Sequence, residues 1–238
     1  MKNRKTKFYE YEEKYSHIPD DYNERLVWMC EKYNLSDKKK EEILLKKYDI
    51  MNSIEYNTIK VVLFEIPEGS PRPRFRLVNR YNLANAAASN SQFVHVYSIT
   101  GKEDNMYMER LISNGELSQL NQIIYTPCDV EYNAFLPTPS TYNITDTFLA
   151  EIGLIRPLVK PDWDNVGKKY SDMFNENIWL DDTLVIDGTV RRYYSIKPRV
   201  EVYLRFTNML YNKHQYNSIK QRLARLGLDN IEPEYFGN

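Results

Sequence analysis

Residues 160–185 read KPDWDNVGKKYSDMFNENIWLDDTLV and contain the most informative pattern in the chain. Apolar residues recur at helical spacing from Val166 to Phe174, which predicts a helix. The residues after the second acidic pair, at 184–186, predict a strand. Acidic residues therefore stand at both ends of the predicted helix.

Two pairs of aspartates flank this helix: Asp162 with Asp164, and Asp181 with Asp182. We expect Asp162 and Asp164 to point to the same side of an extended segment, where their carboxylates repel each other and a divalent cation relieves the repulsion. Hard oxygen ligands of this kind select Mg²⁺ or Mn²⁺. The pattern favours a divalent-cation site.

A lysine follows the first pair at a useful spacing. Asp164 stands just before Val166, which predicts that Asp164 caps the helix and that Lys168 lies one turn further along on the same side. An ammonium there can stabilise a phosphate under attack or assist the leaving oxygen. Asp172, two turns beyond Asp164, either supports a metal ligand or is a solvated helix residue.

The acidic pattern alone is not specific, because Asp-x-Asp also occurs in sugar-nucleotide transferases, in phosphatases and on surface loops. The three histidines are too scattered to suggest a zinc site. Cys30 and Cys128 match no metal or redox spacing, which favours two reduced thiols. The 32 basic and 33 acidic residues give a net charge of -1, so any nucleic-acid surface has to be a local patch.

The N-terminus is charged from its first residues and has no apolar stretch of the secretory kind. No apolar run approaches the roughly 18 residues that span a bilayer. We therefore expect a cytoplasmic protein with no membrane partner.

The chain divides in sequence into an extension at 1–56 and a main domain at 57–238. Residues 1–18 predict a flexible arm. Apolar spacing after Asp20, and again after the N-cap candidate Ser36, predicts a helical pair, interpreted as a DNA-binding helix-turn-helix or an appendage of the main domain.

In the main domain, strands are predicted where apolar and β-branched residues run together or alternate. These strands are 59–66, 93–97, 130–136, 184–186, 190–194 and 199–206. Helices are predicted around 106–112, 117–124, 145–152 and 218–226, the last of them ending at Gly227.

Residues 69–76, GSPRPRFR, form the strongest local basic patch. The prolines hold the backbone extended, and the arginines Arg72, Arg74 and Arg76 project from it as a closely spaced positive group. The segment is interpreted as a phosphate contact or as a solvated loop.

The run at 160–185 resembles the signature of the RusA family of Holliday junction resolvases, Lys-Pro-Asp-x-Asp-Asn-Leu-x-Lys, then Asp, Asn, Trp and Asp-Asp before a Val-containing strand. The match is free of gaps and includes Asn165 and Trp179. Weaker similarity extends over most of 61–206. The departures are the N-terminal extension, the stretch at about 81–122 and Gly167, which costs roughly 1 kcal/mol of helix stability.

The resemblance implies an α+β fold, with a mixed sheet covered on one face by helices. It implies Mg²⁺, with Mn²⁺ as a substitute, and a homodimer that nicks opposed strands of a four-way DNA junction. A phage or prophage origin is common in the family. The implied metal ligands are Asp162, Asp164 and Asp182, and the catalytic set adds Lys168. The candidates for DNA contact are Arg72, Arg74, Arg76, Lys169, Arg191 and Arg192.

Two other functions stay open at this stage. One is a DNA-junction binder or regulator that does not cut, which would show no cleavage before or after the substitution Asp164→Asn. The other is a sugar-nucleotide transferase, which would turn over nucleotide sugars.

Overall fold

The computed structural model describes residues 14–70, residues 108, 109 and 111, and residues 122–237, together with the backbone of two strands at 74–79 and 92–97. The predicted flexible arm at 1–18 therefore lies mostly outside the described residues. The same is true of most of the helices predicted at 106–112 and 117–124.

The chain divides into two compact units, Met1–Ile54 and Glu55–Asn238. The first unit contains helices α1 (Tyr22–Lys32) and α2 (Asp37–Ser53). As predicted, the Ser36 side chain caps α2, accepting a hydrogen bond from the backbone of Lys39. Neither helix contains a buried residue.

The second unit is built on a mixed four-stranded sheet. Its strands are β1 (Tyr56–Leu63), β4 (Cys128–Pro137), β5 (Val185–Ser195) and β6 (Arg199–Thr207), in the order β1-β6-β4-β5. The pairs β1–β6 and β6–β4 are antiparallel, whereas β4–β5 is parallel. Strands β2 (Arg74–Asn79) and β3 (Gln92–Tyr97) form a separate antiparallel ribbon.

Strict alternation along β4 determines which face of the sheet is buried. Every second residue from Cys128 to Leu136 is buried, and the residues between them are half-buried. The Tyr132 ring on the buried side lies 6.2 Å from the Tyr170 ring and 6.4 Å from the Phe174 ring of helix α4 (Trp163–Phe174). The predicted α+β fold, a mixed sheet with helices on one face, is confirmed.

Several element boundaries differ from the prediction, among them those of β1, which spans Tyr56–Leu63 and not 59–66. The strands predicted at 184–186 and 190–194 form one strand, β5, because parallel pairing with β4 carries the polar residues 187–189 through the ladder. The C-terminal helix, α5, spans Lys213–Arg225 and begins before Ser218, because the Asn212 side chain caps it. Gly227, with a φ of +71°, follows its end as predicted.

The parallel pairing of β4 and β5 requires a long crossover connection. This connection contains α3 (Ile144–Glu151), α4 and a 3-10 turn at Asp182–Leu184. The four residues of the predicted catalytic set all lie on it. Among the described residues, none of the helices combines the length and the apolar character needed to cross a bilayer.

Candidate metal and catalytic site

Helix α4 buries one face and exposes the other. Its buried residues recur every three or four positions, as expected for a helix on a sheet. They are Val166, Lys169, Tyr170, Met173 and Phe174. This packing fixes the rotation of α4 about its axis, and so determines which side chains face solvent.

The exposed face of α4 carries Asp164, Lys168 and Asp172. These residues are four positions apart, so their side chains lie one turn from each other on one side of the helix. Among the described residues, no carboxylate forms an ion pair with Lys168. The predicted neighbourhood of Asp164 and Lys168 is present, although the start of the helix differs from the prediction.

The helix begins at Trp163, with Asp162 as its N-cap and Asp164 inside the first turn. The prediction that Asp164 is the cap was wrong, as was the expectation that both residues lie in an extended segment. Only Asp162 is extended, with φ -69° and ψ 155°, and its side chain makes no capping hydrogen bond. Its carboxylate oxygens are therefore not held by the helix backbone.

The two residues of the second acidic pair, Asp181 and Asp182, differ in their contacts. The Asp181 side chain accepts a hydrogen bond of 2.8 Å from the Thr183 backbone and forms an ion pair of 2.5 Å with Arg222 on α5. Asp182 begins the 3-10 turn and is exposed. Of the two residues, Asp182 is the one whose carboxylate is available to a ligand.

The electrostatic neighbourhood shows which of these groups approach each other. Partial desolvation and the Asp182 carboxylate raise the pKa of Asp172, whereas Lys168 acts in the opposite direction. Asp182 therefore lies within electrostatic range of Asp172, while Asp162 lies at the N-terminal end of the helix. The sequence left Asp172 between a supporting role and a solvated helix residue, and it is not part of the predicted catalytic set.

The aspartates are not gathered around one point in this structure. Among the described residues, no three acidic, histidine or cysteine side chains are arranged to hold a metal ion. The donor chemistry nevertheless fits a hard divalent cation, because Asp162, Asp164 and Asp182 offer exposed carboxylates on neighbouring elements.

The segment at 67–70 crosses the first turn of α4. The Ser70 backbone N–H donates a 2.9 Å hydrogen bond to the Asn165 carbonyl. A Cβ atom at Gly69 would lie 3.0 Å from the Cβ of Pro161 and 3.1 Å from that of Asn165, so a larger residue would require these neighbours to shift by a few tenths of an ångström. A cavity of about 440 Å³ opens between this segment and residues 160–165, and Asp162 is part of its wall.

Lys169 was predicted to contact DNA, but its side chain is only 6% exposed and its ammonium lies 2.8 Å from the Glu68 carboxylate. It lies three positions after Val166, on the buried face of the helix. Helical periodicity was therefore the signal that separates Lys169 from its exposed neighbour Lys168.

Arg191 and Arg192 point to opposite faces of the sheet, since neighbouring residues of a strand alternate. Arg191 forms an ion pair with Glu131 on the face away from α4. Arg192 is in register with Ala134, on the helix side, and its guanidinium donates to backbone carbonyls of residues 157–161. The two arginines therefore do not form one basic patch.

The remaining candidates for DNA contact lie in the region of the proline-arginine segment. Arg72 lies outside the described residues. The backbone places Arg74 and Arg76 on β2, in register with Tyr97 and His95 of β3. Their side chains lie outside the described part of the chain, so their contact with DNA stays a prediction.

Comparison with known proteins identifies the family. Residues 66–205 match the family described as Endodeoxyribonuclease RusA, and the chain belongs to this family. The resemblance found at residues 160–185 is thereby confirmed. The chain is also 39% identical over 85 residues to the uncharacterized protein YqaN of Bacillus subtilis (strain 168). That alignment covers 35% of the chain and 60% of YqaN.

Proposed function

We propose that this protein is an endodeoxyribonuclease that hydrolyses phosphodiester bonds of four-way DNA junctions with the help of Mg²⁺. The observation that carries the proposal is the arrangement of the crossover. Carboxylates lie at the start of α4 and at the following 3-10 turn, and between them the exposed helix face carries Lys168, which pairs with no described carboxylate. Membership of the family makes DNA the expected substrate.

Asp162, Asp164 and Asp182 would hold the ion. A bound divalent cation polarises a phosphate oxygen and lowers the pKa of bound water, which supplies the nucleophile. The three carboxylates have the hard oxygen donors that Mg²⁺ prefers, and Mn²⁺ is a substitute of similar chemistry. The Asp181–Arg222 ion pair contributes by holding the turn that presents Asp182.

Lys168 acts on the phosphate. Lys168 is exposed on the same helix face as Asp164, and no described carboxylate lies within ion-pair distance of it. A preorganised positive group beside a phosphate stabilises the extra negative charge of the transition state. Lys168 also offsets the repulsion between the acidic groups and the DNA backbone.

The proposed homodimer fits the symmetry of the proposed substrate. A four-way junction has opposed strands that must both be nicked, so a homodimer with two sites fits it. Because phosphate contacts dominate such binding, affinity should fall steeply as the salt concentration rises. A protein that acts on DNA in this way would work in the cytoplasm.

The substitution Asp164→Asn tests the proposal. It removes a metal ligand without changing the size of the side chain, so we expect Mg²⁺-dependent nicking of a synthetic four-way junction to fall by more than about 100-fold, beyond the range typical of residues that only support a ligand. Junction binding measured in Ca²⁺ should remain. Asp229→Asn is the matched control, because Asp229 is exposed and lies in the C-terminal loop.

A wild-type protein that binds the junction but never cuts it, with Mg²⁺ or Mn²⁺, would show that the protein is a junction binder. Equal cleavage by the wild type and by Asp164→Asn would remove Asp164 from the site. Turnover of a nucleotide sugar without cleavage would contradict the proposal entirely.

A further inference from the structure

The segment between α3 and α4 reaches the site without regular secondary structure. Residues 156–161 lie in neither helix nor strand, and they end directly at Asp162. Pro157 is buried, but Leu158 is 95% exposed and Val159 is 55% exposed, so apolar packing holds only the start of the segment. Some other interaction has to fix the segment if Asp162 is to occupy a defined position.

That interaction comes from Arg192. One guanidinium nitrogen, Nη1, lies 2.7 Å from the carbonyl oxygen of Val159 and 2.7 Å from that of Pro161. The other, Nη2, lies 3.2 Å from the carbonyl oxygen of Pro157. A single side chain on β5 thus binds three alternate carbonyls, the last of them one residue before Asp162.

The contacts around Arg192 strengthen this hold. Among the described residues, no backbone–backbone hydrogen bond reaches residues 156–161, and Arg192 supplies the polar contacts of the carbonyls at 157, 159 and 161. The segment in turn donates a hydrogen bond to β5: Arg156 Nε lies 2.7 Å from the backbone carbonyl oxygen of Arg192. The Arg156 guanidinium stacks on the Tyr193 ring at 3.7 Å, next along the strand.

We infer that Arg192 is a positioning residue of the cation site: it holds the segment that presents Asp162 and the first turn of α4, and it does not bind DNA. The inference rests on the proposed function, since it takes Asp162 as a ligand. It replaces the predicted phosphate contact of Arg192, because its guanidinium already binds protein carbonyls.

The planar fork of arginine is what this role requires. A guanidinium presents several N–H groups in fixed directions, so it reaches three carbonyls at once. A lysine in its place keeps the positive charge but concentrates its donors at one point. Arg192→Lys therefore removes the geometry and retains the charge, which separates positioning from electrostatic attraction to DNA.

The experiment compares Arg192→Lys with Arg191→Lys, the same change on the opposite face of the sheet. Mn²⁺ binding is measured by calorimetry without DNA, and backbone hydrogen exchange is followed across residues 157–166. We expect Arg192→Lys to weaken Mn²⁺ binding by about 10-fold or more, as for residues that orient metal ligands. Exchange should rise in this segment alone, while Arg191→Lys leaves both unchanged.

Cleavage kinetics provide a second comparison. For Arg192→Lys, a higher Mg²⁺ concentration should restore the cleavage rate, and the DNA concentration at half-maximal rate should stay near the wild-type value. A higher requirement for DNA, with unchanged Mn²⁺ affinity, would identify Arg192 as a DNA contact and overturn the inference.

The two proposals fail in different ways. If the wild type neither binds Mn²⁺ nor cuts DNA, the proposed function fails, whatever Arg192 does. If the wild type does both and the Arg192→Lys protein matches it in Mn²⁺ affinity and in hydrogen exchange, only the positioning role of Arg192 is refuted.

Discussion

The two faces of helix α4 separate the residues that pack against the sheet from those to which we assign the proposed chemistry. The buried face contains Tyr170 and Phe174, both fully buried against the sheet, whereas the exposed face carries Asp164 and Lys168. The packed face fixes the helix, so that the exposed face presents its charges in a constant direction. Substitutions on the two faces should therefore affect different measurements.

The largest effect is expected on the packed face. Phe174 is 0% exposed, and its ring meets the Trp179 ring edge-on at a centroid distance of 5.4 Å. Phe174→Ala should lower the free energy of unfolding by about 3–5 kcal/mol, measured by urea denaturation, because it leaves a cavity. In Phe174→Leu, the leucine fills most of the space, so the free energy of unfolding should fall by less. The cleavage rate per folded molecule should stay at the wild-type value.

The two neighbouring lysines provide the sharpest test of the comparison. Lys168→Ala should lower the cleavage rate by about 100-fold, the loss typical of one transition-state donor, with an unchanged unfolding midpoint. Lys169→Met should change cleavage by less than about tenfold, since the ammonium is buried against Glu68 and does not face solvent. If both variants lost cleavage to a similar extent, the buried face of α4 would contribute to cleavage as much as the exposed face does.

The smallest effect concerns Gly167, between the two faces. An added Cβ would meet a methyl group of Val190 at 3.0 Å, which opposes the roughly 1 kcal/mol of helix stability that alanine brings. We expect Gly167→Ala to change the free energy of unfolding by less than about 1 kcal/mol. In a Val190→Ala background the same change should be stabilising, and a double-mutant cycle measures the coupling. If the effects of Gly167→Ala and Val190→Ala on the free energy of unfolding simply add, the added Cβ does not contact Val190.

The regular elements of this chain could be predicted from sequence better than the residues that join them. Alternation in β4 and helical spacing in α4 are local patterns, so the amino-acid order alone was enough to predict both elements. The start of α4 was predicted wrongly, because Asp162 and Asp164 are both good N-caps and the first buried apolar residue, Val166, follows both of them.

The candidate site shows the same limit. Asp164 and Lys168 were placed on one helix face by spacing alone, and both lie on that face in the folded protein. The role of Arg192 could not be predicted in this way, because the carbonyls that it binds lie about thirty positions earlier in the chain. Alternation along the predicted strand was a signal that Arg191 and Arg192 face opposite ways, but both residues were predicted to contact DNA.

The parallel pairing of β4 and β5 has a consequence for how this protein can change over evolution. Because the chain must return along the sheet before β5 begins, one continuous stretch at 138–184 carries every residue of the proposed catalytic set. New segments can be inserted beyond this stretch, before β1 or after β6, without lengthening the path between the acids. The surface that selects the DNA can thus diversify while the cutting chemistry is inherited as a single block.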